Sequence, residues 1–158
     1  MMVWYDIVFR LVIAIIVGAC IGMERQWRHR MAGLRTNALV SLGACIFVLL
    51  SVMLDHDASP SRIAAQVVSG IGFLGGGVII RDGFSIRGLN TAATLWCAAA
   101  VGTLTGAGFL VAAILGAAGV LLANILLRPI ALFMNKKIKR RITRTNELLT
   151  FPYLFRRK

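Results

Sequence analysis

Gly70-x-Gly72-x-x-Gly75, within the stretch VSGIGFLGGGVIIRDG (Val68 to Gly83), has the glycine spacing of a loop that cradles a pyrophosphate. In that chemistry the glycines follow a buried strand, open a helix, and are answered about 20 residues later by an acid that binds a ribose. Here Asp82 stands only seven residues past Gly75, and the next acid is Glu147. The dinucleotide reading fails on that distance. Catalysis is not expected either, because no nucleophile is accompanied at readable spacing by a base and an orienting partner. No cofactor and no metal site is predicted: the histidines, His29 and His56, fall in loops on opposite sides, and no zinc spacing is visible.

What remains is the chemistry of polar groups in apolar surroundings. An unsatisfied hydrogen-bonding group in hydrocarbon costs several kcal/mol, so such a group must face protein or water. The spacing places Asn37, Ser41 and Cys45 on one helical face, Gln66, Ser69, Gly70 and Gly77 on a second, and Asn90, Thr94 and Cys97 on a third. Three polar stripes predict one shared interior, converging beneath Asp82. Taken singly, each stripe is accounted for by hydrogen bonds between helices, worth ~0.6 kcal/mol apiece. Taken together, they are equally consistent with a functional cluster.

The elements that must carry these residues are membrane helices. The chain of 158 residues is 58% hydrophobic, with a mean hydropathy of +0.80. Charge-free runs extend over Thr36 to Leu54, Ile63 to Ile80 and Gly88 to Leu127, and Ile7 to Met23 is broken only by Arg10. About 20 apolar residues cross a ~30 Å hydrocarbon layer. The last run, 40 residues long, therefore holds two crossings joined at Leu104-Thr105-Gly106-Ala107-Gly108, and the total is five. The expected fold is all-α, a polytopic membrane helix bundle, with residues 1–128 as the transmembrane domain and 129–158 as a basic cytoplasmic tail.

A cleaved signal peptide is not expected, since Asp6 precedes the first apolar run and Arg10 lies within it. Trp4 and Tyr5 read instead as interfacial anchors. Cys20, Cys45 and Cys97 all fall inside spans as small packing residues.

The net charge of +12 reads as topology. Sixteen of the eighteen cations fall in the first loop (Arg25, Arg28, Arg30, Arg35), the third loop (Arg81, Arg87) and the tail from Arg128, whereas the second loop is acidic. Cationic loops mark the cytoplasmic side. The N-terminus is accordingly expected outside and the C-terminus inside, with the tail along anionic lipid and no nucleic acid bound. At the cytoplasmic rim, Glu24 and Arg28 have the spacing of a helical ion pair, and Arg81 and Asp82 close the third span. Trp96, near mid-span, is expected to pack in the bundle.

In lipid, close helix approach needs small residues. Gly18/Gly22, Gly72/Gly76, Gly102/Gly106 and Ala112/Gly116 supply that spacing. The third helix, with Gly70, Gly72, Gly75 and Gly76, is expected to pack tightly against its neighbours.

The stretches ERQWRHRMAGLRTNALVSLGA (Glu24 to Ala44), PSRIAAQVVSGIGFLGGGVIIRDG (Pro60 to Gly83) and IRGLNTAATLWCAAAVGTLTGAG (Ile86 to Gly108) resemble the MgtC/SapB family of bacterial inner-membrane proteins. The resemblance covers about residues 5 to 128. It implies a role in growth under magnesium limitation and in survival inside host phagocytes, and it implies importance for Asn90, Cys97 and Asp82. Asp82 is one methylene shorter than the family's glutamate, and the basic tail is expected to stand where longer members carry a soluble C-terminal domain.

Two functions compete. A Mg²⁺ transporter or channel component would need oxygen ligands along a wet path. The six acids, Asp6, Glu24, Asp55, Asp57, Asp82 and Glu147, all lie at span ends, in loops or in the tail. A regulator is therefore the primary expectation: a virulence-associated protein of the bacterial inner membrane that modulates a partner complex. The expected partners are membrane lipids, another inner-membrane complex such as an ATP synthase or a cation pump, and further copies of the chain in a homo-oligomer.

Overall fold

A long apolar segment shut away from water can satisfy its backbone from within only as a helix. In a computed structural model, which describes residues 3–54, 60–82 and 85–154, five helices form: α1 (Trp4–Trp27), α2 (Leu34–Met53), α3 (Pro60–Gly77), α4 (Leu89–Gly106) and α5 (Leu110–Leu154). Pro60 opens α3 at the position where a missing N–H is harmless. The acidic second loop, expected as DHDASPS (Asp55 to Ser61), lies outside the described residues over 55–59.

Between α3 and α4 the chain makes an antiparallel hairpin, β1 (Ile80–Asp82) with β2 (Ser85–Arg87), in which Arg81 faces Ile86. It returns through Gly88, whose φ of 94° is the left-handed conformation glycine adopts freely. A side chain there would also collide with the carbonyl of Val78.

The chain divides into two units, 1–121 and 122–158. In the first, α2 and α4 touch each other, and both touch α1 and α3. The contacts are made where side chains vanish. A Cβ on Gly18 would stand 2.7 Å from the Asn37 carbonyl oxygen, and one on Gly22 would stand 2.6 Å from that of Gly33. Likewise a Cβ on Gly106 would stand 2.6 Å from Cys45 O, and one on Gly102 would overlap Ser41 O. Glycines of α1 and α4 thus lay both backbones directly on α2. Around this seam Val17, Ile21, Val101, Ala113 and Ala117 form one buried cluster, and Ala14, Cys45 and Leu49 form another.

Arg10, the cation inside the first apolar run, closes the opposite end. Its Nη1 donates to Gly106 O at 2.9 Å, and its Nη2 is paired with Asp6 at 3.0 Å. It thereby holds the α4–α5 turn, where Gly108 has a φ of 90°.

Among the described residues, three helices are long and apolar enough to cross a membrane: Trp4–Trp27, Leu34–Met53 and Leu110–Ile130. That is two fewer than the five crossings expected from the runs. The difference is physical, because α3 and α4 are diluted by glycine, alanine and threonine. Half of α4 is buried against protein, so its surroundings do not require high hydropathy. Two other expectations change. Trp96 is 51% exposed on the surface of α4. In α3, a Cβ at Gly70, Gly72 or Gly76 would meet nothing within 4 Å, and one at Gly75 would meet only the Cβ of Ala92 at 3.6 Å. Among the described residues, the small face of α3 is therefore open.

Candidate functional site

Arg25 lies in the last turn of α1 and continues the face of Gly18 and Gly22, which rests on α2. A long cationic side chain on that face has nowhere to go but inward, and Arg25 is only 2% exposed. Its guanidinium reaches α4, donating from Nη2 to Thr91 Oγ1 at 2.6 Å and from Nη1 to Thr94 Oγ1 at 2.9 Å. It also grips the α1–α2 connection. Nη2 donates to Met31 O at 3.0 Å, and Nε lies 3.3 Å from both Met31 O and Ala32 O.

Asn37, in the first turn of α2 and wholly buried, holds the same connection from the other side. Its Nδ2 donates to Ala32 O at 2.7 Å and to Gly33 O at 2.9 Å. Thr94 completes its own hydroxyl by donating to Asn90 O at 2.8 Å. Gln26 Oε1 accepts from the backbone N–H of Leu34 at 3.1 Å and so caps α2, whose N-cap residue Gly33 has no side chain to do it. One guanidinium thus ties together the end of α1, the loop after it and the start of α4.

The electrostatics are unusual in one respect. Every acceptor Arg25 touches is neutral, while the adjacent carboxylate of Glu24 is paired with Arg28 at 2.6 Å. The planar fork of arginine suits this task, since its donors can address several acceptors at once. Its place in the last turn of α1 is favoured by the helix dipole, whereas the start of α4 opposes it. The loop carbonyls offset that opposition by bending toward the charge. They can do so because His29 and Ala32 take positive φ, 51° and 56°. For Ala32 this conformation costs roughly 1–2 kcal/mol, so Ala32→Gly is expected to stabilise the protein by about 1 kcal/mol with the network intact, measurable as a raised unfolding midpoint.

The arrangement fastens the end of α1, the loop after it and the start of α4 to one another. Two buried acceptors on α2, Asn37 Oδ1 and Ser41 Oγ, have no hydrogen-bond partner among the described residues. No three His, Cys, Asp or Glu side chains gather among those residues.

The sequence-derived residues distribute as follows. Asn37 and Thr94 meet at the Arg25 network. Asn90 contributes its carbonyl there while its side chain is exposed, and Cys97 is half-buried further along α4. Gln66 stands on the exposed side of α3, facing a groove against α2 rather than this interior. The side chain of Asp82 lies outside the described residues; its backbone belongs to β1. Of the rim residues, Glu24 and Arg28 pair, Arg35 and Arg81 are exposed, and Arg25 alone turns inward. Thr91 was missed by the sequence reading. Its signal was the spacing to Thr94, three residues on, which puts both hydroxyls on one face of α4.

The class defined by these features is an α-helical membrane protein whose helices are sealed by glycines and pinned by a buried arginine. The chain belongs to the MgtC family, which matches residues 11–133. It is 56% identical over 135 residues to Protein MgtC of Salmonella typhimurium, covering 85% of this chain and 58% of that protein. It is 54% identical over 128 residues to Protein MgtC of Brucella abortus, covering 81% and 54%. A protein of Synechocystis described as uncharacterized is 59% identical over 134 residues, covering 85% and 57%. The chain thus spans a little over half the length of these curated relatives. No solved structure matches it.

Proposed function

We propose that this protein is a regulator of the bacterial inner membrane, supporting growth at low magnesium and survival inside host cells by binding a partner membrane complex and changing its activity. The proposed disposition is multi-pass, with five crossings, the N-terminus outside and the basic loops inside. An ATP synthase, a cation pump or a second copy of the chain are the partners considered. No catalytic role is assigned.

The observation that supports this reading is the contrast between two faces. The α1–α2–α4 contact is backbone against backbone, with Gly18, Gly22, Gly102 and Gly106 filled by the neighbouring helix. On α3 the equivalent positions Gly72 and Gly76 stand open. In a membrane, such a small-residue face lets a second helix approach closely and gain packing energy. A hydrated Mg²⁺ needs room for oxygen ligands and retained waters, which the sealed seam does not offer.

Under this proposal Asn90→Ala, Cys97→Ala and Asp82→Ala abolish growth at low magnesium while membrane insertion and cellular Mg²⁺ uptake stay unchanged. Growth curves and radiotracer or fluorescent uptake in the same strains read both arms. Saturable Mg²⁺ flux into liposomes that contain only the purified wild-type protein, lost in the Asp82 variant, would overturn the proposal in favour of transport.

A further inference from the structure

Alongside the sealed seam, α2 and α3 diverge to leave a groove of about 800 Å³. The buried Ala44, Ile71 and Ala99 line its depth, and it stays open over Gly43 and Gly70, where an added Cβ would meet nothing within 4 Å. Leu39, Phe47 and Leu74 contribute apolar walls. Arg35 and Thr36, in the first turn of α2, stand at one end of it. Arg35 is exposed and has no ion-pair partner among the described residues.

Length and charge select the occupant. From Arg35 to Phe47 the groove follows twelve residues of α2, which at ~1.5 Å rise per residue is about 18 Å. That matches one leaflet, half of a ~30 Å hydrocarbon layer, and is too short for a helix that crosses both. The cation sits at the helix end, where a headgroup phosphate would lie, and a guanidinium is suited to grip a phosphate with two parallel hydrogen bonds.

We propose that this groove binds one anionic glycerophospholipid from the leaflet at the N-terminal end of α2, with an acyl chain laid along Gly43 and Gly70 and its phosphate held by Arg35. Besides Arg35 and Thr36 at its end, Gln66 is the polar residue lining the groove. Its side chain is exposed, so the amide can turn away from an apolar tail. The site is separate from the Arg25 network, and the proposal is independent of whether the protein regulates a partner.

The test is native mass spectrometry of the purified full chain released from mixed micelles of phosphatidylglycerol and phosphatidylcholine. Wild type is expected to retain one phospholipid with about fivefold preference for phosphatidylglycerol, the factor associated with one cation near an anionic headgroup. Arg35→Gln should keep the bound lipid but lose the preference. Gly43→Leu and Gly70→Leu should lose the lipid while the protein unfolds at the same or a higher midpoint, because each fills open space and replaces a poor helix former with a good one. Gln66→Leu should retain it. Equal retention of both lipids by wild type would overturn the proposal, as would undiminished retention in the filled-groove variants. Loss in Gln66→Leu as complete as in Gly70→Leu would also overturn it, since the amide would then be gripping a polar occupant such as a neighbouring helix.

Discussion

Arg25→Ala is expected to destabilise the protein by about 3 kcal/mol or more, enough to deplete it from membranes. The substitution strands Met31 O, Ala32 O and the Thr91 hydroxyl, all of which Arg25 now satisfies. Each buried group left without a partner costs roughly 1–3 kcal/mol. Arg25→Lys should recover only part of the loss, because a single ammonium cannot reach Thr91, Thr94 and the loop carbonyls together. Thr91→Val and Thr94→Val each remove one hydrogen bond to a charged group and should cost about 1.5–3 kcal/mol. Unfolding in mixed micelles, followed by the fluorescence of Trp27 two residues beyond Arg25, measures all four. An Arg25→Ala midpoint indistinguishable from wild type would show that the network does not hold the bundle.

The second large effect concerns glycine, and its sign depends on which helix carries it. At Gly102 a single methyl would overlap the Ser41 carbonyl, and the obstacle is backbone that cannot turn aside. Overpacking of this kind costs typically 1–3 kcal/mol and sometimes more, so Gly102→Ala should be clearly destabilised and Gly102→Leu should fail to accumulate. Gly72→Ala, by contrast, meets open space and replaces the poorest non-proline helix former with the best, a gain of up to about 1 kcal/mol. Gly72→Leu should therefore fold normally yet lose growth at low magnesium if a partner helix rests on that face. Parallel measurement of membrane abundance and growth separates the two outcomes. Equal abundance of Gly102→Leu and wild type would remove the seam from the account of stability.

Much of this was legible in the sequence because lipid leaves few choices. Long apolar runs must be helices, and the α4–α5 turn follows from the glycines at 106 and 108. The Glu24–Arg28 pair follows from a four-residue spacing that any helix brings together. The resemblance carried by three long motifs led directly to the family. Other features depend on rotation of one helix against another, which a one-dimensional pattern leaves open. Gly18/Gly22, Gly72/Gly76 and Gly102/Gly106 share one spacing, yet only the first and last are buried at a backbone contact. The neighbours that decide this lie far away in the chain. Arg25 shows the same limit: by charge it belongs with Arg28, Arg30 and Arg35 at a solvated rim, and only the docking of α1's glycine face on α2 turns it inward to meet Thr91 and Thr94. The sequence by itself determined that this chain is helical, apolar and of the MgtC family, because composition and local spacing act through the bonds of a single helix. Which glycines seal, which arginine is buried and where a groove stays open were decided only by tertiary structure, because those depend on which faces meet across space.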